Sequence, residues 1–215
     1  MEALVKEAGP MKAPVEHHMR WQFGVLVPPG FPGEPSAGGT ECLLEADPDA
    51  TIDLRLRFLH VRCRTVEREE DDGYWPVPKL TVGGHDYLGF DEAVERETRA
   101  TVPLTGGRRT IEVHVPGGRE IEPIIAPSGE RTGRVICEHQ PIDAEMRVSA
   151  ERLSGPYGLV RLRVEVHNTA RWERADAPRE EALRHSLVAA HLLIGVSGGA
   201  FGPAPADEGP QVGGA

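Results

Sequence analysis

Nine histidines and three cysteines carry the most varied chemistry in this chain of 215 residues. Imidazole and thiolate are the groups that bind zinc, and a zinc site needs several of them converging tetrahedrally. Two local pairings exist, His60-Val61-Arg62-Cys63 and Cys137-Glu138-His139. On an extended strand an odd spacing sends His60 and Cys63 to opposite faces, whereas Cys137 and His139 share one. Cys137 and His139 are therefore the candidate zinc pair. Two ligands do not complete a site, and Cys42, Cys63 or His114 must join them through the fold. A buried structural cysteine is the ordinary alternative. Read as nucleophile and base, the same pair still lacks an orienting third group. His185 and His191 are six residues apart and do not share a helix face, and the spacing of a zinc-protease helix is absent. His17-His18 reads as a solvated pair.

Other chemistry is weaker. A phosphate loop needs a following helix and usually Lys-Ser/Thr. Gly195–Gly202 has neither, and reads as a helix C-cap or a hairpin turn. The carboxylates of Glu67–Asp72 lack calcium-loop spacing and read as a solvated acidic loop. Aromatic residues make up only 5% of the chain, yet Tyr74, Trp75, Tyr87 and Phe90 fall within 17 positions. Clustered rings mark interfaces and stacking sites, so these four are the candidate ligand or partner surface. Rings that close the end of a core are the alternative.

The elements that must position these residues are mostly strands. Ile52, Leu54, Leu56 and Phe58 alternate with Asp53, Arg55 and Arg57, which is the rhythm of a half-buried strand. Leu59, Val61 and Cys63 then take over the apolar phase, which predicts a bulge or bend near Phe58. A short strand is expected over 21–27. Pro76 and Pro78 limit 74–82 to an edge strand. Asp91 as N-cap predicts a short helix over 91–99. Further strands are expected over 101–104, 110–115, 134–140, 144–153 and 159–168, the last two forming a hairpin or meander. Pro178, Glu180 and Glu181 suit a helix start, with Leu183, Leu187 and Ala190 on one side. His191–Val196 either continues that helix or turns into a final strand.

The expected fold is mainly β, an antiparallel β-sandwich with one C-terminal helix, with a small α+β sheet as the alternative. The expected organisation is a flexible segment over 1–40, one β-rich domain over 41–201 and a disordered tail over 202–215. Apolar residues are 39% of the chain, enough for a packed core, and the net charge is -10. Only three of the 24 basic residues are lysines, a bias typical of a high-GC bacterial genome. Without a basic run to neutralise phosphates, nucleic acid is not an expected partner, nor is an anionic membrane. The N-terminal segment lacks the apolar stretch of a secretory signal. An odd number of cysteines makes no disulfide framework. The expected compartment is a reducing cytoplasm.

Residues 161–169 (Arg-Leu-Arg-Val-Glu-Val-His-Asn-Thr), 179–191 (Arg-Glu-Glu-Ala-Leu-Arg-His-Ser-Leu-Val-Ala-Ala-His) and Gly198-Gly199-Ala200-Phe201 resemble part of an uncharacterised actinobacterial family. That family is associated with gene neighbourhoods of nickel–iron hydrogenases. The resemblance implies an accessory role in an oxidoreductase assembly and supplies no active-site residue. Three functions are thereby expected in turn. The first is a non-enzymatic accessory protein with a protein partner. The second is a small-molecule or carbohydrate-binding sandwich. The third is a metalloprotein built on cysteine and histidine.

Overall fold

The computed structural model describes residues 17–105, 107–155, 158–174 and 176–202. Residues 1–16 of the expected flexible segment, and the expected tail from 203 onward, lie outside the described residues. Among those described, the chain forms β1 (His17–Leu26), β2 (Ala37–Glu70), β3 (Gly73–Val77), β4 (Lys79–Val82), β5 (His85–Leu88), β6 (Phe90–Pro103), β7 (Arg109–Val115), β8 (Gly118–Ile125), β9 (Arg131–His139), β10 (Ile142–Arg152), β11 (Leu159–Asn168), α1 (Arg179–Leu183) and β12 (Leu187–Phe201). The fold is mainly β and antiparallel, with a single short helix, as the alternation predicts.

One strand organises the rest. β2 pairs with β11 over 37–45, with β12 and β6 through its middle, and with β9 and β3 at its end. The main sheet runs β1-β12-β2-β11-β10-β7. Along β2 the partner on β12 jumps from Gly199 opposite Ala46 to Ser197 opposite Thr51. The extra β2 residues make the corner at which the strand passes from one layer to the other, a device of sandwiches with crossing strands. Between the layers Ile52, Leu54, Leu56 and Phe58 meet Leu162, Val164 and Val166 of β11, Met146 and Val148 of β10, and Leu192 and Ile194 of β12. A smaller cluster of Val66, Leu80, Ile124 and Val135 closes the far end.

Several expectations give way to pairing. The apolar phase does not flip at Phe58: β2 and β6 stay in register without a shift from Thr51 to Arg64. His60 simply continues the buried face, at 1% exposure. The expected helix over 91–99 is the middle of β6. Its residues are good helix formers, but fourteen backbone pairings with β2 and cross-strand pairs such as Arg62–Glu92 at 2.7 Å outweigh a propensity of tenths of a kcal/mol per residue. Glu67–Glu70, expected in a loop, end β2, and Asp71-Asp72 alone make the hairpin turn. The late helix stops at Leu183. Leu187 begins β12, and Gly195–Phe201 is strand rather than cap or turn. Within the 1–40 segment β1 pairs with β12 along its whole length. The Pro-rich run after it is a loop closed by the Val27 amide donating to the Pro35 carbonyl at 2.9 Å.

Asn168 fastens this arrangement. Its buried side-chain amide donates to the Leu26 carbonyl at 2.9 Å and to the His185 carbonyl at 2.8 Å, and its Oδ1 accepts from the Ala170 amide at 2.9 Å. Its own amide donates to the Ser36 carbonyl at 2.8 Å. The ends of β1, β11 and α1 are thus joined at one neutral group. Asn168→Ala leaves two buried carbonyls and an amide unpaired, and is expected to cost about 3 kcal/mol. Asn168→Asp, which cannot donate when ionised, is expected to cost at least as much at neutral pH. Urea unfolding of both variants checks this, and a loss below about 1 kcal/mol contradicts it.

Candidate functional site

The sequence-derived metal candidates do not assemble. Cys137 packs against the small cluster at the far end. His139 instead meets His60 edge-on, with ring centroids 5.0 Å apart. Cys63 lies opposite Glu138 on the β2–β9 pairing, with Thr65 Oγ1 at 3.9 Å. His114 bonds Asp143 at 2.7 Å on the β7–β10 pairing. Cys42 faces the main core. Among the described residues no three His, Cys, Asp or Glu side chains are grouped as a metal would require. All three cysteines are free thiols. Burial pushes the Cys42 thiol up to about 11, with Glu41 adding to the shift, so its thiolate is scarce at neutral pH.

The four aromatic candidates separate as well. Tyr87 packs on the small cluster. Tyr74 lies beneath Arg134, whose guanidinium is 3.9 Å from the ring centre, while Arg131 Nη1 donates to its hydroxyl at 3.3 Å. Trp75 and Phe90 are about half exposed, at 50% and 52%. They stand opposite Arg68 and Arg64 of β2, about 13 Å apart along the strand.

The concavity that the structure builds lies elsewhere, on the solvent face of the β1-β12-β2-β6 layer. Its origin is a pair of bulges. Ala189 and Ala190 of β12 together oppose Phe58 of β2, and Phe23 of β1 is an extra residue on the other side. Ala189 has φ 48°, a left-handed conformation that costs an L-residue about 1–2 kcal/mol and gathers at functional sites. Gly24 has φ 75°, and a Cβ there would meet nothing within 4 Å. The result is a cavity of about 640 Å³, within the usual range for small-molecule sites. Leu59, Ala189 and Gly24 give it a bare centre, and Arg20, Gln22, Arg57, Glu95, Glu97 and His191 supply the polar groups.

The polar groups follow from register. Gln22, His191, Arg57 and Glu97 lie in one row across four strands. Arg57 donates to Glu97, which also receives Arg99, and these two guanidinium groups hold the Glu97 carboxyl below its ordinary range. His191 Nδ1 donates to the Ala189 carbonyl at 3.2 Å, which leaves Nε2 as an acceptor. Arg20 and Glu95 make no ion pair among the described residues. Sequence reasoning missed this site because bulges carry no periodic signature. Gly195-Val196-Ser197-Gly198-Gly199 has the spacing of a hydrolase nucleophile elbow, which sits at a strand-to-helix turn. Here it lies within β12, with Ser197 opposite Thr51.

No protein-family model, curated protein or solved structure matches the chain. The likeness of residues 161–169 and 179–201 to the hydrogenase-associated family therefore rests on those residues alone.

His60 is the one fully buried imidazole beside the bulged region. Its Nε2 donates to the Gln140 carbonyl at 2.8 Å, and Nδ1 is buried without a partner. Burial, with smaller contributions from the His139, Arg96 and His185 charges, pushes it down to about 4. The unfolded chain takes up a proton below pH 6.5, and the folded chain refuses it until about pH 4. Stability is thus full above pH 6.5 and falls as pH drops toward 4, by about 3 kcal/mol from this group. His60→Gln is expected to flatten that part of a urea-denaturation profile taken between pH 7 and pH 4. An unchanged slope contradicts it.

Proposed function

We propose that this chain is a non-enzymatic binding module that seats a small organic molecule in the cleft over the β12 bulge. The observation that carries the reading is the strained Ala189 at the floor of a 640 Å³ cavity. A left-handed alanine is retained only where its surroundings over-determine it. Here it sits between two paired strands and opens space that a regular ladder would fill. The donors and acceptors already point outward along the strand row, so a ligand meets a prearranged set of groups rather than a mobile loop.

A second reading favours the accessory role, with a protein partner and possession of a place in an oxidoreductase assembly. Its support is the exposure of Trp75, Leu88 and Phe90 at the far end, together with the resemblance of the later strands. Both readings suit a reducing cytoplasm, in view of the free thiols. Neither calls for nucleic acid, given the net charge of -10. No helix among the described residues is long and apolar enough to cross a membrane.

Gln22 is exposed on β1 and lines the cleft. Gln22→Trp is expected to fill the cavity and leave the fold intact. Ligand-observed NMR with a library of small polar organic molecules is expected to give binders that Gln22→Trp loses at least tenfold and that Trp75→Ala retains. Binders lost in Trp75→Ala and kept in Gln22→Trp would move the site to the far end, and an empty screen would overturn the cleft reading.

A further inference from the structure

The cleft has a polarity of its own, and the inference drawn from it rests on the binding reading above. Arg20 and Glu95 are the two charged groups of the rim without an ion-pair partner among the described residues. Glu97 and Arg57 already satisfy each other, and Arg99 shares that carboxylate. One unpaired cation and one unpaired anion therefore remain for a ligand.

Their placement follows from register. Arg20 lies in the row Arg20, Leu193, Arg55, Arg99, and Glu95 in the row of Leu59 and Val188. They sit on opposite outer strands of the four, β1 and β6, which are about 14 Å apart. Their rows are separated by the four residues between Arg55 and Leu59, about 13 Å along β2. The two α-carbons thus stand roughly 19 Å apart on the diagonal of the cleft. Side chains reaching inward from both corners shorten the distance between charges to about 10–15 Å. Between the corners lie Leu59, Ala189 and Gly24, with open space over the glycine. Along the way stand the Gln22 amide and His191 Nε2.

We infer that the cleft takes a short zwitterionic peptide of three or four residues in extended form. Its terminal carboxylate meets Arg20, its terminal ammonium meets Glu95, and an apolar side chain covers Leu59 and Ala189. An extended chain advances about 3.3–3.6 Å per residue, so three or four residues carry their terminal charges across this span. Guanidinium and carboxylate form charge-assisted pairs with such termini, and the shared middle of the cleft does not select for length beyond them. A ligand with one charge leaves one corner unpaired. A dianion places a carboxylate against Glu95.

The test uses the full chain and the tetrapeptide Ala-Leu-Leu-Ala, with amide chemical shifts and calorimetry as readouts. The free peptide is expected to bind, with shifts centred on Gln22, Ala189 and His191. Acetylating its amine or amidating its carboxylate is expected to weaken it at least tenfold. Arg20→Ala is expected to erase the effect of amidation and leave that of acetylation. Glu95→Gln is expected to do the reverse. Equal affinity of free and doubly blocked peptide overturns the zwitterion assignment. So does a cleft that binds other organic molecules, lost in Gln22→Trp, while ignoring the peptide; in that case the binding reading stands without it. If no molecule of either kind shifts the cleft resonances, the binding reading itself fails.

Discussion

A single uncharged amide governs where the chain's late segments lie. Asn168 accepts and donates within the protein interior, where an unmade bond costs more than a made one gains. By holding the carbonyls of Leu26 and His185 it sets where β1 ends and where β12 begins. β12 enters the sheet two residues later, at Leu187 opposite Leu26. The irregular residues between that pairing and the regular one at Gln22–His191 are the bulges that hollow the outer face. The cleft is thus a consequence of anchoring at Asn168, propagated through register rather than encoded by a local motif.

Strand alternation makes the core legible. Residues 52–58, 111–115 and 159–168 read as strands from alternation alone, because one face of each is buried and the other is wet. The helix expected over 91–99 was illegible because its Glu, Arg and Ala residues favour helices in isolation, and only the length of β2 beside them decides otherwise. The same holds for Leu187–Val196, where an apolar run suits either structure. His60 misled for a different reason: a polar residue occupies a core position, so the apolar phase looks broken when the backbone is regular. The metal and aromatic candidates were chosen by residue type, and sequence proximity did not become convergence in space. The cleft left no trace beyond two small residues, Ala189 and Gly24, at places where nothing periodic marks them.

Charge on the outer faces is arranged by strand pairing. Arg62 with Glu92, Arg134 with Glu67 and Arg161 with Glu41 link neighbouring strands. Such exposed pairs contribute a fraction of a kcal/mol each, so their main effect is on which strands meet and in which register. Edges are guarded likewise. β6 alternates acids and arginines, and β8 carries Arg119, Glu120, Glu122 and Pro123, features that discourage sheet-to-sheet association between molecules.

The length of β2 also bears on how the protein comes into being. β2 is complete by residue 70, while its central neighbour β12 begins at Leu187. At ordinary rates of synthesis, roughly ten seconds separate the two. Throughout that interval the longest and greasiest strand of the nascent chain waits with one side unmatched. Early chaperone engagement on the ribosome, rather than anything in the finished fold, then guards the middle of β2 until its neighbour emerges.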